Sequence, residues 1–223
     1  MSRELFGQAL IKFFAGLLTV SLLLFLPAGT LRYPQGWLLI TILFVPMFIA
    51  GLVMMRKSPE LLRRRLQGGE KEAGQRMVIL LSALMFIAAF AAAGLSFRFG
   101  FLMLPRGVSA AGAAVFLAAY ALYAEVMREN VWLSRTVEVQ EDQKLVDTGL
   151  YGVVRHPMYS ATILLFLSMP LVLGSALSLA IMLFYIPIIV SRIRGEEELL
   201  EREFPGYREY EERVRYRLIP FIW

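Results

Sequence analysis

PMYSATILLFLSMPLVLGSALSLAIMLFYIPIIVS, from Pro157 to Ser191, runs for 35 residues without a charged side chain. As one helix rising 1.5 Å per residue it would be about 50 Å long, against roughly 30 Å of hydrocarbon in a bilayer. The run must therefore break. Pro170, Gly174 and Ser175 stand near its middle and predict a hairpin of two short helices that returns the chain to the side it left. The residues flanking the run, Arg155-His156 before it and Arg192 to Glu196 after it, are then expected to meet at one membrane face.

Outward from this run, four further uncharged stretches are near the roughly 20 residues that cross a bilayer: Phe13 to Leu31, Tyr33 to Met55, Met77 to Phe97 and, slightly short, Gly107 to Ala124. Pro27, Pro34 and Pro46 mark span ends or kinks. The first stretch follows Arg3 and Lys12 as a signal peptide would, but no A-x-A site follows and a second span comes at once, so it reads as retained. Between the second and third stretches lie Arg56, Lys57, Arg63, Arg64, Arg65, Lys71 and Arg76 against three Glu. The positive-inside rule places this loop in the cytoplasm, and counting spans from it places both termini and residues 128–156 there too. The expected fold class is all-α and integral to the membrane: about four full transmembrane helices, a C-terminal helical hairpin, and a cytoplasmic amphipathic C-terminal segment.

Composition agrees with that reading. Hydrophobic residues make up 58% and charged residues 18% of the 223, and the mean hydropathy is +0.61; soluble domains average roughly 45–50% and 25%. The net charge of +5 clusters beside apolar spans, which speaks for membrane topology and against nucleic-acid binding. No Cys is present, which excludes disulfides, thiolate metal sites and cysteine nucleophiles, and a single His excludes a multi-histidine metal site. After Ser191 the chain becomes mixed. Leu199, Leu200 and Phe204 recur at helical spacing, so an amphipathic helix is expected to run from the membrane until Pro205 ends it, with the aromatic tail up to Trp223 folding back on the membrane face.

Arg192 and Glu196, four apart on one helix face, either pair with each other or point together into a pocket. As a surface ion pair they would contribute less than about 1 kcal/mol. His156 reads either as a helix-start residue at the headgroups or as part of a site, and Tyr151 and Tyr159 either as interfacial aromatics or as its walls. Pro157 suits the first turn of a helix, whose free N–H groups, with Arg155, suggest a place for a carboxylate or phosphate.

Leu145-Val146, Gly149-x-Tyr151, Arg155-His156-Pro157-x-Tyr159, Arg192-x-x-x-Glu196-Glu197-x-x-Leu200, Phe204, Tyr207, Tyr210 and Ile219-Pro220 follow one another with a hairpin-length spacer between the two halves. In this ordered set, segment 140–223 resembles the isoprenylcysteine carboxyl methyltransferase family and the wider group of membrane methyltransferases that includes the phospholipid methyltransferases. The resemblance implies S-adenosylmethionine as methyl donor, with S-adenosylhomocysteine as product, and a lipid-like or prenylated acceptor entering from the bilayer. It implies an active site at the cytoplasmic face, no metal and no nucleic acid. Carried over position by position, the cofactor contacts fall on Gln140, Gln143, Lys144, Leu145, Val146, Tyr151, His156, Pro157, Met158, Tyr159 and Glu196. Arg192 falls where the family holds its acceptor, so that Arg192 and Glu196 are the implied catalytic pair. Gln143 stands where related enzymes often carry His. Residues 1–127 are then the N-terminal transmembrane helices and residues 128–223 the methyltransferase catalytic region.

Methyl transfer from a sulfonium is an in-line displacement that needs alignment and exclusion of water more than a strong acid or base, which suits these residue types. A carboxylate acceptor of the isoprenylcysteine type, anchored by Arg192, is the first expectation, and a phospholipid amine or another lipid is the alternative. A membrane reductase of the sterol type, using NADPH and carrying an Arg-His-Pro-like element, is a rival of another class. Its usual Asn-Tyr-x-Gly-Glu-like continuation is not what stands at Met158-Tyr159-Ser160-Ala161. A non-catalytic membrane protein is the third.

Overall fold

The computed structural model describes residues 3–66, 73–133 and 143–223. The helices in order are α1 (Arg3–Ala28), α2 (Pro34–Lys57), α3 (Pro59–Leu66), α4 (Ala73–Phe99), α5 (Arg106–Glu129), a 3-10 turn at Gly149–Gly152, α6 (Pro157–Leu173), α7 (Ala176–Met182), α8 (Tyr185–Glu203) and α9 (Tyr207–Arg213). Among the described residues the only β pairing is a single bridge between Met103 and Ser175.

Among the described residues five segments are long and apolar enough to cross a membrane: Glu4–Ala28, Pro34–Lys57, Gln75–Phe99, Arg106–Glu129 and Ala176–Glu203. The first four are the expected spans, lengthened at their ends by charged residues such as Arg56, Lys57 and Glu129. The hydrocarbon limits where charge can sit, whereas the backbone ladder continues past it wherever N–H and C=O groups still find helical partners. The loop after α2 holds an element the sequence reading left out. Pro59 opens α3, whose Leu61 and Leu62 are buried while Arg63 is exposed.

The hairpin is present, with two differences from expectation. Pro170 sits inside α6 without ending it. The turn is made by Gly174, in the left-handed conformation at φ 69°, followed by Ser175, whose N–H donates to the Pro170 carbonyl at 3.1 Å. Glycine is the residue that closes a helix this way without a Cβ penalty. Ser175 then caps α7 by accepting from Ser178 N–H. The second difference is a further break at Leu183-Phe184, between α7 and α8. Beyond it α8 continues unbroken through Arg192 to Glu203 and stops one residue before the Phe204-Pro205 pair, as expected.

The hairpin tip reaches the connection between α4 and α5. Ala176 N–H donates to Leu102 carbonyl and Leu104 N–H to Gly174 carbonyl, each at 2.9 Å, and Tyr33 hydroxyl donates to Leu173 carbonyl at 2.8 Å. The two arms therefore traverse the bundle from the end bearing His156 and Arg192 to the opposite end. Small residues let the helices close up. A Cβ on Gly112 of α5 would come 2.7 Å from Leu171 Cβ of α6, and one on Gly94 of α4 would come 2.5 Å from Leu24 carbonyl of α1.

The main core joins α1, α2, α4, α5 and α6 around Leu24, Tyr33, Leu39, Phe116 and Leu173. A second cluster around Tyr159, Met182, Tyr185, Ile189 and Ile193 knits α4, α6 and α8 beneath the end that carries the polar residues. The tail does fold back onto that end. Arg155 and His156 N–H groups donate to the Tyr216 and Arg217 carbonyls at 2.8 and 2.9 Å, and Phe204, Tyr207, Tyr210 and Val214 form a small core of their own with Leu145 and Leu200.

Candidate functional site

A polar cavity lies where the 3-10 turn, the start of α6, the middle of α8 and α9 converge. Of the residues singled out in the sequence, Gln143, Lys144, Leu145, Val146, Tyr151, His156, Met158, Tyr159, Arg192 and Glu196 all line it. Pro157 does not; it is buried as the first residue of α6, behind His156. Gln140 lies outside the described residues.

Two consecutive glutamates of α8 divide the polar groups into two networks. Glu196 is half-buried and accepts a hydrogen bond from the Tyr159 hydroxyl. Arg192 Nε donates to the same hydroxyl at 3.0 Å, and its Nη1 donates to Gln75 Oε1 of α4 at 3.1 Å. Arg192 and Glu196 are thus joined through Tyr159, at the cavity wall. Glu197, rotated about 100° round the helix, is 3% exposed. Its Oε1 accepts from Arg155 Nε and Nη2 at 2.9 Å each and lies 3.1 Å from His156 Nε2; its Oε2 accepts from Arg217 Nε at 2.6 Å.

Arg155 therefore does not serve as the anion anchor expected at the α6 N-terminus. Besides Glu197, its guanidinium reaches the Val214 and Arg215 carbonyls at 2.9 and 3.3 Å and Glu211 at 3.2 Å. All five of its N–H donors are engaged, so its work is to hold the returning tail against α6 and α8. Burial pushes the Glu211 carboxyl up while Arg155 beside it acts the other way.

The 3-10 turn is held by α5. Glu129 accepts from Leu150 N–H at 2.9 Å, and Gly149, at φ 59°, lies so close that a Cβ there would sit 2.1 Å from the Glu129 carboxylate. Only glycine meets both conditions, the left-handed backbone and the contact. The turn in turn supplies the Tyr151 carbonyl, which accepts from the Tyr210 hydroxyl at 2.8 Å. Burial raises the Tyr151, Tyr207 and Tyr210 phenols well above their ordinary range, so all three remain protonated donors at neutral pH.

Several residues of the site went unselected in the sequence. Glu197 was noted only within the ordered motif but had a further signal, since it continues the buried Ile189, Ile193 face of α8 at four-residue spacing, and a carboxylate on an apolar face requires a buried partner. Gln75 had none; its place beside Arg192 depends on the packing of α4 on α8. Tyr207 was noted only as part of an ordered motif. It is 3% exposed and lines the cavity with a hydroxyl that has no hydrogen-bond partner among the described residues. A buried hydroxyl without a partner is costly, and one at a cavity wall suits a polar ligand.

Three comparisons bear on this arrangement. Residues 107–206 match the family model described as phospholipid methyltransferase. The chain superposes on the eukaryotic intramembrane Ras methyltransferase ICMT (isoprenylcysteine carboxyl methyltransferase) with a TM-score of 0.58 and 20% identity, covering 92% of this chain and 74% of that one, a likeness of fold. It is also 31% identical over 91 residues, or 40% of its length, to a Delta(14)-sterol reductase of Mus musculus, and this match spans 22% of that relative. The chain thus shares the fold of that intramembrane enzyme over 92% of its length, and residues 107–206, which contain both the His156–Tyr159 and the Arg192–Glu196 clusters, match the phospholipid methyltransferase model.

Proposed function

We propose that the protein catalyses S-adenosylmethionine-dependent methyl transfer to a lipid-like acceptor drawn from the bilayer, with residues 128–223 as the catalytic region. The observation that carries this reading is the meeting of two sequence-distant clusters, His156 to Tyr159 and Arg192 to Glu196, around one cavity whose Tyr207 hydroxyl has no protein partner among the described residues.

The residues fit such a cofactor. When bound, S-adenosylmethionine supplies an electrophilic methyl group on a sulfonium and leaves as S-adenosylhomocysteine. Glu196, hydrogen-bonded to Tyr159, presents negative charge to a cationic ligand. Tyr207 and Tyr151 offer protonated phenols, and Leu145, Leu199 and Phe204 supply apolar wall. The enclosed space is about 110 Å³, below the roughly 300 Å³ usual for ligand sites, so a nucleoside extends beyond it. Arg192, steadied by Gln75 and Tyr159, is placed to grip an anionic acceptor. That favours a carboxylate, already ionised and needing only to be held; a phospholipid amine is the alternative and must first lose a proton. The arginine-rich segment after α2 supports a cytoplasmic site and cytoplasmic termini by the positive-inside rule.

The partial likeness to a sterol reductase motivates a second arm in the test. In detergent, saturating S-adenosylhomocysteine is expected to raise the unfolding midpoint, the stabilisation reaching about 2.7 kcal/mol at a hundred times Kd, while NADPH leaves it unchanged. A shift with NADPH alone would replace methyl transfer by the reductase reading. No shift with either, in protein shown to be folded, would refute the cofactor assignment.

A further inference from the structure

On the same side of the bundle as the polar cavity, a second cavity of about 330 Å³ opens between the N-terminal part of α1, the C-terminal parts of α2 and α5, and α3. That volume lies within the range of small-molecule sites. Its walls are almost wholly apolar and rich in Met47, Met54, Met55 and Met127, side chains that repack around irregular chains. Gly51 of α2 forms part of the wall, and nothing lies within 4 Å of where its Cβ would be.

Two cations line this apolar space. The Lys12 ammonium donates to the Leu66 carbonyl at the end of α3. The Arg65 guanidinium lies over the Tyr123 ring at 5.5 Å and reaches Met158 Sδ at 3.9 Å. Met158 lines the polar cavity, so Arg65 stands in the partition between the two. An apolar space does not hold ordered water, and the two cations lining it favour a negative head group over a zwitterionic one.

We propose that this second cavity is a binding site for an anionic lipid, one hydrocarbon chain lying among the methionines and the head group held by Lys12 and Arg65 against the partition shared with the polar cavity. The binding rests on this cavity alone and is distinct from the acceptor grip assigned to Arg192 above. Gly51→Leu fills the slot from open space and improves helix propensity, so it blocks the chain without disturbing the fold.

The test is native mass spectrometry of the detergent-purified full chain titrated with dioleoyl phosphatidylglycerol or dioleoyl phosphatidylcholine, whose chains are identical. Each cation beside a lipid head group corresponds to about a fivefold preference for the anionic lipid, so the wild type is expected to favour phosphatidylglycerol by about 25-fold. Lys12→Gln should reduce that preference about fivefold, and Gly51→Leu should abolish tight binding of both lipids. Equal retention of the two lipids by the wild type, as for hydrocarbon that merely fills a gap, would overturn the proposal, as would undiminished phosphatidylglycerol binding by Gly51→Leu. S-adenosylhomocysteine binding measured on the same preparations reports on the polar cavity separately and is expected to survive Gly51→Leu.

Discussion

Replacing Glu197 by Gln should damage the protein far more than the same change at Glu196, although the two are neighbours and equally charged. Glu197 faces four guanidinium or imidazole nitrogens, with contacts of 2.6 to 3.1 Å, from Arg155, His156 and Arg217. Hydrogen bonds to charged groups contribute about 1.5–3 kcal/mol each, but these share one carboxylate and do not add. Removing one partner of a buried ion pair costs about 3–5 kcal/mol, because the other charges stay buried without compensation. The amide of Gln keeps the volume, loses the charge, and turns two N–H donors toward a site already crowded with donors. For a chain of 150–250 residues each kcal/mol moves the midpoint by about 2–4 °C, so Glu197→Gln is expected to unfold about 6–20 °C below wild type. Glu196→Gln, half-buried and able to keep its hydrogen bond to Tyr159, should fall by no more than about 3 °C. Thermal unfolding of both variants in one detergent, followed by circular dichroism, measures the difference. If Glu197→Gln melts within about 2 °C of wild type, or Glu196→Gln melts lower than it, the assignment of Glu197 as the node that holds the tail is wrong.

Tyr207→Phe should leave the ligand-free midpoint unchanged or slightly raised, since the lost hydroxyl has no protein partner among the described residues, yet weaken S-adenosylhomocysteine binding about 3–10-fold, one hydrogen bond's worth; equal Kd values by calorimetry would remove Tyr207 from the ligand's contacts. Glu196→Ala is expected to weaken cofactor binding, and Arg192→Ala to spare it while losing transfer to a lipid acceptor. Measured Kd values in the opposite order would exchange the two roles. In this Cys-free chain, single cysteines at Leu150 and Pro205 should react with an impermeant maleimide from the same side of the membrane, and labelling from opposite sides would separate the two halves of the cavity.

The helical architecture was legible because burying a charge in hydrocarbon is so costly that charge-free runs must mark the spans, whatever they pack against. The 35-residue run from Pro157 demanded a turn by length alone, and Gly174 was among the residues expected to make it. The break at Leu183-Phe184 carried its signal four residues on, in Pro187, which cannot donate to the Leu183 carbonyl and whose ring clashes with it in a continuous helix. Pro170, with the same signal, was accommodated inside α6. Propensity weighs a residue against its own helix; the outcome also depends on neighbouring helices that supply the remaining contacts.

By itself the sequence determined that the chain is an all-helical membrane protein, that its last apolar run doubles back, and that His156, Tyr159, Arg192 and Glu196 come to one end. Each follows from length, charge or helical period, which are properties of contiguous residues. Only the tertiary structure decided that Arg155 and Glu197 hold the tail, that Gln75 of α4 steadies Arg192, and that Lys12 and Arg65, 53 positions apart, line a common cavity. Those pairings depend on which helix faces which, and that is settled by the mutual packing of all the helices, through close approaches such as Gly94 against α1 and Gly112 against α6, which no local pattern encodes.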